Sequence, residues 1–327
     1  MFFSFQTAFE LLTTPGPRLN SIQNWLINEI WNADRYNRLP HIDYLNSGEE
    51  AVNSLETLIA SAAGRIYDEL ASAHSKYSIL NELSSSDTAI VIFDGLSLRE
   101  IPMIEKLAGK ADFTITAKDT FFAAVPSETE DFIERELDCG RIGPSQLQSR
   151  KELKAKNIEF IYSGNYSNPL APQDTNKALL VWSSFPDITY RDSEARFVGH
   201  FENIHTMFET AWINIVQQIK GKKRIIITSD HGYIYFGTGM ELIRKQADLT
   251  ELNNYFGNNR NIYLNENSAI PQSDDIYIDN QRQIAVLKGR IKTRSSGEAS
   301  AKLYKHGGLS LMEMLTPWVA LDHKKTR

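Results

Sequence analysis

Asp230 and His231 place an oxygen ligand beside a nitrogen ligand. They follow the apolar run 224–229 (RIIITS), which predicts a buried strand, and they precede Gly232. A carboxylate next to an imidazole at the exit of a strand is suited to binding a divalent metal. An ordinary turn, in which the aspartate caps the next element, would use the same residues. A short motif of this kind stays a hypothesis until its structural context is known.

Two other segments supply matching ligands. Asp94 ends the apolar run 88–93, and His306 lies in the segment 305–308 (KHGG), far along the chain. Carboxylate and imidazole ligands together favour zinc or manganese over calcium. Such a metal would polarise a phosphoryl or sulfuryl oxygen, and two cations about 4 Å apart could clamp the attacking and leaving oxygens. These residues therefore predict a metallohydrolase site with one or two divalent ions.

A nucleophile for this site is sought in the segment 125–130 (VPSETE), which is predicted to enter a helix. A hydroxyl at a helix N-terminus is useful because the exposed backbone N–H groups attract phosphate. Ser127 fits the pattern of an N-cap, with Glu130 as its capping-box partner. That arrangement would leave Thr129 in the first turn, facing the metal. Thr129 and Ser127 are the two candidate catalytic hydroxyls.

The elements that must position these residues alternate between strands and helices. Strands are predicted over 88–93, 112–117, 158–162, 178–183 and 224–229, and helices over 98–108, 129–137, 145–155 and 194–219. This alternation predicts an α/β fold with a mostly parallel sheet and helices on both faces. Ligands of such sheets gather at the carboxyl ends of the strands, and Asp94 and Asp230 both fall at such ends.

The region 1–85 is predicted to be helical. One helix is expected from Ile22 to Trp31, and apolar residues then recur at helical spacing from 52 to 70. Ser47 and Glu50 fit a capping box before that segment. Composition does not decide whether this region packs on the rest of the chain or serves as a docking surface.

The chain beyond the last predicted parallel strand is less regular. Residues 233–275 predict a long insertion with one short helix, placed near the site because it follows His231. Residues 276–291 predict a hairpin with a turn near Asp279. The last predicted element follows His306 and ends near Pro317.

Composition sets broad limits on function. The chain has 327 residues, of which 42% are hydrophobic and 23% charged, as in soluble globular proteins. The formal charge of -6 gives no general basic field for nucleic acid, although a bound metal would reverse the sign locally. The single cysteine, Cys139, excludes an intrachain disulfide. No run resembles a secretory signal or a bilayer span, so we expect a cytoplasmic protein without a membrane partner.

Four separated motifs together resemble the PglZ domain of the alkaline phosphatase superfamily. They are 90–97 (IVIFDGLS), 125–129 (VPSET), 228–233 (TSDHGY) and 306–310 (HGGLS). The resemblance covers roughly residues 86–320. It divides the chain into a helical region, 1–85, and an alkaline-phosphatase-like domain, 86–327.

The resemblance implies a two-metal phosphohydrolase fold. In that pattern Asp94 binds one metal together with Asp230 and His231, Thr129 is the nucleophile, and His306 binds the second metal. Relatives include phosphatases, phosphodiesterases and sulfatases. PglZ proteins are associated with bacteriophage-defence systems such as BREX and with response regulators. A phosphodiesterase or nuclease is therefore expected, with a phosphate-ester substrate such as a nucleotide or nucleic acid, and with protein partners in a defence system.

One segment departs from this pattern. The superfamily supplies its second metal with Asp-x-x-x-His, and here Asp187 fits the aspartate, whereas Arg191 stands in place of the histidine. Asp192 could substitute as an oxygen ligand. His200 and His205 are better explained as structural residues of a helix. The departure raises an alternative, a catalytically degenerate PglZ-fold subunit of a defence or signalling complex.

Other interpretations fit the sequence less well. A haloacid-dehalogenase-like phosphatase with Asp94 as nucleophile needs an acidic residue at position 96, where Leu96 stands. The segment 237–239 (GTG) lacks the third glycine of a dinucleotide site. Several basic residues are candidates for phosphate contacts, although each is as easily explained as a solvated surface charge. They are Lys118, Arg135, Arg141, Arg191, Arg260 and Lys305.

Overall fold

The computed structural model describes residues 4–13, 18–111, 113–174, 176–191, 195–219, 221–265, 272–293 and 303–323, with the side chains of 5 and 191–198 also left out. The helices are α1 (Phe5–Thr13), α2 (Arg18–Trp25), α3 (Ala33–Arg38), α4 (His41–Ala62), α5 (Arg65–Ala71), α6 (Ile79–Glu82), α7 (Ile101–Lys110), α8 (Thr129–Leu137), α9 (Lys151–Ala155), α10 (Asp187–Arg191), α11 (Ala195–Asn214), α12 (Gln246–Phe256) and α13 (Leu311–Met314). A π-helical turn, Leu26–Ile30, extends α2, and 3₁₀ turns cover Leu98–Glu100, Pro144–Ser149 and Val216–Ile219.

The main sheet of the described chain has six strands. They are β1 (Thr88–Phe93), β2 (Phe113–Phe122), β3 (Ile158–Ser163), β4 (Ala178–Ser183), β5 (Arg224–Thr228) and, after shorter strands, β11 (Leu315–His323). Their order is β2-β11-β5-β1-β4-β3. β1 pairs in parallel with β4 and β5, and β3 with β4, whereas β11 runs antiparallel to both of its neighbours. The predicted α/β fold, a mostly parallel sheet flanked by helices, is confirmed.

Both faces of the sheet are covered by apolar side chains. In β1, Ala89, Val91 and Phe93 point into one hydrophobic cluster, and Ile90 and Ile92 point into another on the opposite face. This alternation follows from the two-residue repeat of a strand. Strands buried on both faces read as continuous apolar runs, which is why β1, β4 and β5 are evident from the sequence.

The N-terminal helices share the first of these clusters. Leu26, Val52 and Leu55 lie in the same buried cluster as Val91 and Phe93 of β1. Burial of an amphipathic helix face against a sheet is the usual source of helix stability in proteins. The predicted helical N-terminal region is therefore present, and its apolar face is buried in the hydrophobic cluster on this side of the sheet.

The predicted capping box at Ser47 and Glu50 is wrong. α4 begins at His41, after Pro40, so Ser47 lies inside the helix and its hydroxyl donates to the Asp43 carbonyl at 2.5 Å. The apolar repeat starts earlier than position 52, because Tyr44 and Leu45 are also fully buried. The segment 52–70 is also divided, since α4 ends at residue 62 and α5 begins at 65.

The predicted end of the last element near Pro317 is also wrong. α13 stops at Met314, and the chain continues through Pro317 as the nine-residue strand β11. Proline is tolerated there because the pairing of β11 with β5 begins at Val319. Because α13 runs directly into β11, their apolar residues form one continuous stretch, which in the sequence resembles a single element.

The described chain between β5 and β11 forms two small sheets. The strands are β6 (Ile234–Tyr235), β7 (Asn261–Tyr263), β8 (Ile276–Asp279), β9 (Ile284–Leu287) and β10 (Tyr304–Lys305). β8 and β9 form the predicted antiparallel hairpin, β7 adds to β9, and β10 pairs with β6. The single predicted helix is α12. Among the residues described, no helix combines the length and apolar character needed to cross a membrane.

Candidate metal and phosphate site

Asp94 and Asp230 meet at the carboxyl edge of the sheet. Asp94 directly follows β1, and Asp230 comes shortly after the end of β5. These two strands are adjacent and parallel. Asp230 Oδ1 accepts a hydrogen bond from the backbone N–H of Gly95 at 3.1 Å, so the two strand exits are tied together. Asp94 Oδ2 accepts from Trp182 Nε1 at 3.3 Å. Both carboxylates are buried, which fixes their orientation.

His231 faces both carboxylates from the next position. Its Nε2 lies 3.5 Å from Asp94 Oδ1 and 3.6 Å from Asp230 Oδ2. Its Nδ1 donates to the Gly232 carbonyl at 2.9 Å, which leaves Nε2 as the nitrogen turned toward the carboxylates. A ring oriented through one nitrogen in this way is typical of metal-binding histidines.

His306 joins the same neighbourhood from the far end of the chain. Its ring stacks on that of His231, with centroids 4.0 Å apart and planes inclined by 13°. His306 Nε2 lies 3.6 Å from Asp187 Oδ1, at the start of α10. The structure therefore brings together all four segments in which the sequence placed ligands.

Among the described residues, two groups of three offer ligand atoms within 4.8 Å of one another. One is Asp94, Asp230 and His231, and the other is Asp187, His231 and His306. His231 is common to both groups, so two cation positions would be adjacent. This is the arrangement in which two ions share one substrate.

The chemistry of these donors fits a hard or borderline divalent cation. His231 Nε2 and Asp94 Oδ1 are both fully buried and lie 3.5 Å apart, and neither atom has a closer hydrogen-bond partner among the described residues. Buried polar atoms are normally satisfied, and a cation bound between these two atoms would satisfy both of them. Oxygen and imidazole ligands at this spacing suit zinc or manganese.

The pKa shifts of the site reflect crowded carboxylates. Burial raises the pKa of Asp94, and the nearby charge of Asp230 raises it further. Burial lowers the pKa of His231, but the charges of Asp230, Asp94 and Asp187 outweigh it and raise that pKa to about 10. The negative charges of the neighbouring carboxylates contribute to both shifts, and a bound cation would offset those charges.

The hydroxyl of Thr129 reaches this cluster. It is the first residue of α8, and its Oγ1 donates to Asp230 Oδ2 at 2.7 Å. The helix N-terminus adds backbone N–H groups and a partial positive charge at the same point. Thr129 is only 5% exposed, so its hydroxyl is buried with the cluster.

Ser127 is used differently, and its predicted capping role is wrong. The residue that precedes α8 as its N-cap is Glu128, which makes no side-chain capping bond. Ser127 Oγ donates to the Gly308 carbonyl and accepts from the Gly307 N–H, each at 2.9 Å. Its hydroxyl therefore holds the loop of His306 against the start of α8. The sequence could not indicate this contact, which spans 180 residues.

A buried ion-pair network supports the His306 loop from behind. Arg260 Nε lies 2.6 Å from Glu313 Oε1, which also accepts from the Gly308 N–H at 2.8 Å. Glu56 of α4 accepts from the Leu311 N–H at 2.8 Å, and Arg290 lies between Glu49 and Glu56. Apart from Arg260, which was a candidate for phosphate contacts, these residues were not predicted to contribute to the site. Two acidic residues seven positions apart on α4, facing the core, are the available sequence signal.

Two of the candidate ligands, Asp187 and His306, border a cleft of about 350 Å³. Its wall includes Asp187, Tyr190, Lys305, His306 and the segment 258–260 of the insertion. The prediction that the insertion lies near the site is thus supported by the position of its residues. The cleft provides room for a phosphate group beside the candidate ligands.

The predicted phosphate-binding residues are mostly engaged elsewhere. Lys118 pairs with Glu105 at 2.8 Å, Arg141 with Asp131 at 3.1 Å, and Arg135 donates to the carbonyls of Phe122 and Ala123. Arg260 is buried against Glu313, as given above. Lys305 borders the cleft and donates to the Asn258 carbonyl at 2.9 Å.

The remaining predictions concern α10 and α11. Asp192 and the side chain of Arg191 lie outside the described residues. His200 is fully buried and hydrogen bonds through Nδ1 to Thr189 Oγ1 at 2.6 Å, while the ring of His205 lies 4.5 Å from that of His41. Both histidines therefore make structural contacts, as the sequence indicated.

A scan against protein-family models finds no match for this chain, and a search of curated proteins finds none either. Solved structures with a similar fold include murine ectonucleotide pyrophosphatase/phosphodiesterase 5, with 12% identity and a TM-score of 0.44 over 71% of this chain and 87% of that one. The inactive form of that protein in complex with AMP has 14% identity and a TM-score of 0.39 over the same shares.

Phosphonoacetate hydrolase from Sinorhizobium meliloti 1021, in complex with phosphonoformate, is similar at 12% identity and a TM-score of 0.44, over 71% of this chain and 89% of that one. Values this low leave the family and the activity of this chain to be derived from its own residues.

Proposed function

We propose that this chain is a metal-dependent phosphoric ester hydrolase in which Thr129 is the nucleophile. The observation that carries the proposal is the 2.7 Å hydrogen bond from Thr129 Oγ1 to Asp230 Oδ2. It joins a hydroxyl at a helix N-terminus to a buried group of carboxylates and imidazoles at the carboxyl edge of the sheet. A nucleophile, an anion-binding helix end and cation ligands are the parts that phosphoryl transfer requires.

The residues divide the reaction between them. Thr129 Oγ1 attacks phosphorus in line with the leaving oxygen, forming a phosphothreonine as the ester bond breaks, and Asp230 Oδ2 is the nearest acceptor for the hydroxyl proton. The N–H groups of the first turn of α8 hold the phosphoryl oxygens. Water then cleaves the phosphothreonine. A bound divalent cation would withdraw charge from phosphorus and favour the ionised form of the hydroxyl.

The cation ligands we propose are Asp94, Asp230 and His231 for one ion, and Asp187 and His306 for a second. Zinc or manganese fits these donors best. Asp192 stays a further candidate ligand for the second ion.

The four sequence motifs support assignment to the PglZ domain family within the alkaline phosphatase superfamily. With that assignment we propose a cytoplasmic phosphodiesterase or nuclease-type enzyme, acting on nucleotides or nucleic acid, in a bacteriophage-defence system with protein partners. Lys305, on the wall of the cleft, is the basic residue best placed to meet a substrate phosphate.

The test is hydrolysis of a chromogenic phosphodiester, bis(p-nitrophenyl) phosphate, with zinc or manganese. Thr129→Ala should lower kcat/KM by about 1,000-fold or more, because a nucleophile is lost. Thr129→Ser should retain part of the activity. Ser127→Ala is the comparison variant: it removes the hydroxyl that holds the His306 loop at Gly307 and Gly308, so it should lower activity by less than Thr129→Ala does. Full activity of Thr129→Ala would overturn the role of Thr129 as the nucleophile.

Arg191 favours a second candidate function, a catalytically degenerate interaction subunit. An arginine stands where the superfamily pattern has a histidine ligand of the second metal. Absence of hydrolysis by the wild-type protein with zinc, manganese or magnesium, together with less than one bound ion per chain, would favour this function over the enzyme.

A further inference from the structure

Tyr190 occupies the wall of the cleft beside Asp187. It lies three residues further along α10, so the two side chains share one face of that helix. The ring is held rigidly by other aromatic rings: it stacks on Tyr304 with centroids 5.4 Å apart and meets His200 edge-on at 4.9 Å. Tyr190 is only 3% exposed. Its hydroxyl therefore has a fixed position.

That hydroxyl is a buried polar atom that makes no hydrogen bond to any residue the structure describes. A buried phenol normally has a partner, and leaving one without costs about 1–3 kcal/mol. Unlike it, the hydroxyl of the neighbouring Tyr233 donates to Glu100 Oε1 at 3.3 Å. The position of the Tyr190 oxygen thus indicates a ligand.

Gly95 shows where this oxygen points. A Cβ atom on Gly95 would lie 2.1 Å from the Tyr190 hydroxyl and 3.4 Å from Asp187 Cβ. The phenol oxygen and Asp187 therefore flank one point, next to the strand exit that carries Asp94. Asp187 in turn lies 3.6 Å from His306 Nε2. The hydroxyl belongs to the Asp187 and His306 side of the site.

We propose that the phenolate oxygen of Tyr190 is a ligand of the second divalent cation, together with Asp187 and His306, and that it takes the place of the histidine absent at position 191. This inference rests on the proposed metal-dependent function. As the oxygen–metal bond forms, the phenol O–H bond breaks and the proton leaves to water.

The first measurement follows ionisation of tyrosine on titration of the wild-type protein with Zn²⁺. Binding of the second ion should produce the near-ultraviolet difference absorption of one phenolate, and Tyr190→Phe should abolish it. Tyr233→Phe is the matched control, because it removes a buried hydroxyl from the same aromatic cluster without touching the cleft. Absence of the phenolate signal in a wild-type protein that binds two ions would overturn the inference.

The second measurement counts bound zinc by elemental analysis and calorimetry. Loss of a residue that only hydrogen-bonds to a metal ligand weakens metal binding about 10–100-fold. Tyr190→Phe removes a ligand itself, so it should weaken binding of the second ion by about 100-fold or more and leave binding of the first ion unchanged. Asp187→Asn should have the same effect. Two tightly bound ions in Tyr190→Phe would overturn the ligand role while leaving the proposed hydrolase intact. Failure of the wild-type protein to bind zinc would overturn the proposed function itself.

Discussion

Glu56 Oε1 accepts a hydrogen bond from the backbone N–H of Leu311 at 2.8 Å, across 255 residues of chain. Leu311 begins α13, four residues after the glycine that follows His306. A side chain of the N-terminal helices thus supports the segment that presents a candidate metal ligand. The N-terminal region contributes to the shape of the site, and its role is not confined to covering the sheet.

Removing this acceptor should destabilise the fold. Glu56→Leu would leave the buried Leu311 N–H without its partner, at a cost of about 1–3 kcal/mol in the free energy of unfolding. Glu56→Gln keeps an acceptor oxygen and should cost much less, since burial already raises the pKa of Glu56 to about 7 and favours a neutral side chain. Urea unfolding followed by circular dichroism measures both. Equal destabilisation by the two variants would show that charge, and not the hydrogen bond, matters.

Arg260→Met should be more damaging. Arg260 and Glu313 are at most 1% exposed and lie 2.6 Å apart, so the variant strands a buried carboxylate. The expected loss in the free energy of unfolding is about 3–5 kcal/mol. Lys223→Met breaks an exposed pair of similar length, with Asp87 at 2.5 Å, and should cost at most about 1 kcal/mol. Similar unfolding midpoints for the two variants would contradict the structural role of the buried pair.

Gly95→Ala should disturb the site through two separate effects. Gly95 has a φ of +75°, which disfavours alanine, and the added methyl would meet the Tyr190 hydroxyl. Combining the change with Tyr190→Phe should recover part of the lost stability, because the nearest clashing atom is gone. Gly109→Ala is a suitable control, since no atom lies within 4 Å of the added carbon. The prediction fails if thermal unfolding shows the two changes to be strictly additive.

His200 should make stability depend on pH. Burial lowers its pKa from 6.5 to about 3, with a smaller effect of the Arg99 charge, and the side chain is packed against Thr189, Tyr190, Tyr233 and Tyr304. Between these two values the unfolded chain binds a proton that the folded chain does not. The contribution of His200 is therefore full above pH 6.5 and is lost as the pH falls.

Comparison with His200→Gln isolates this contribution. The free energy of unfolding should fall with decreasing pH more steeply in the wild type than in the variant, by up to about 1.4 kcal/mol per pH unit. Glu56 and Glu100 act in the opposite direction, because burial raises both pKa values to about 7, but they are common to both proteins. Parallel stability curves from about pH 7 to about pH 5 would exclude His200 as the cause.

The strands and the ligands at their exits were accessible from sequence for a local reason. A strand buried on both faces is an uninterrupted apolar run, and Asp94 and Asp230 are the polar residues that end two of them. Parallel pairing then requires their side chains to meet, so no long-range information is needed.

Other features depend on partners that no local pattern reveals. In the sequence, Glu49 and Glu56 resemble ordinary surface charges of a helix. In the structure they are buried in the core, where they form ion pairs with Arg99 and Arg290. β11 was missed because Pro317 suggested an end and because α13 and the strand share one apolar stretch. The contact of Ser127 with Gly307 and Gly308 was hidden behind a plausible local capping pattern.

The antiparallel strand β11 has a consequence for the order of folding. It separates β2 from β5, and in the described chain β2 pairs with no other strand of the sheet. The β5-β1-β4-β3 half can assemble as soon as residue 228 is available, whereas β2, though made early, waits for residues 315–323. Assembly of the sheet therefore ends with one long-range pairing event, which slows folding. Until that pairing occurs, the free edge of β5 exposes unpaired backbone N–H and C=O groups, which favour aggregation.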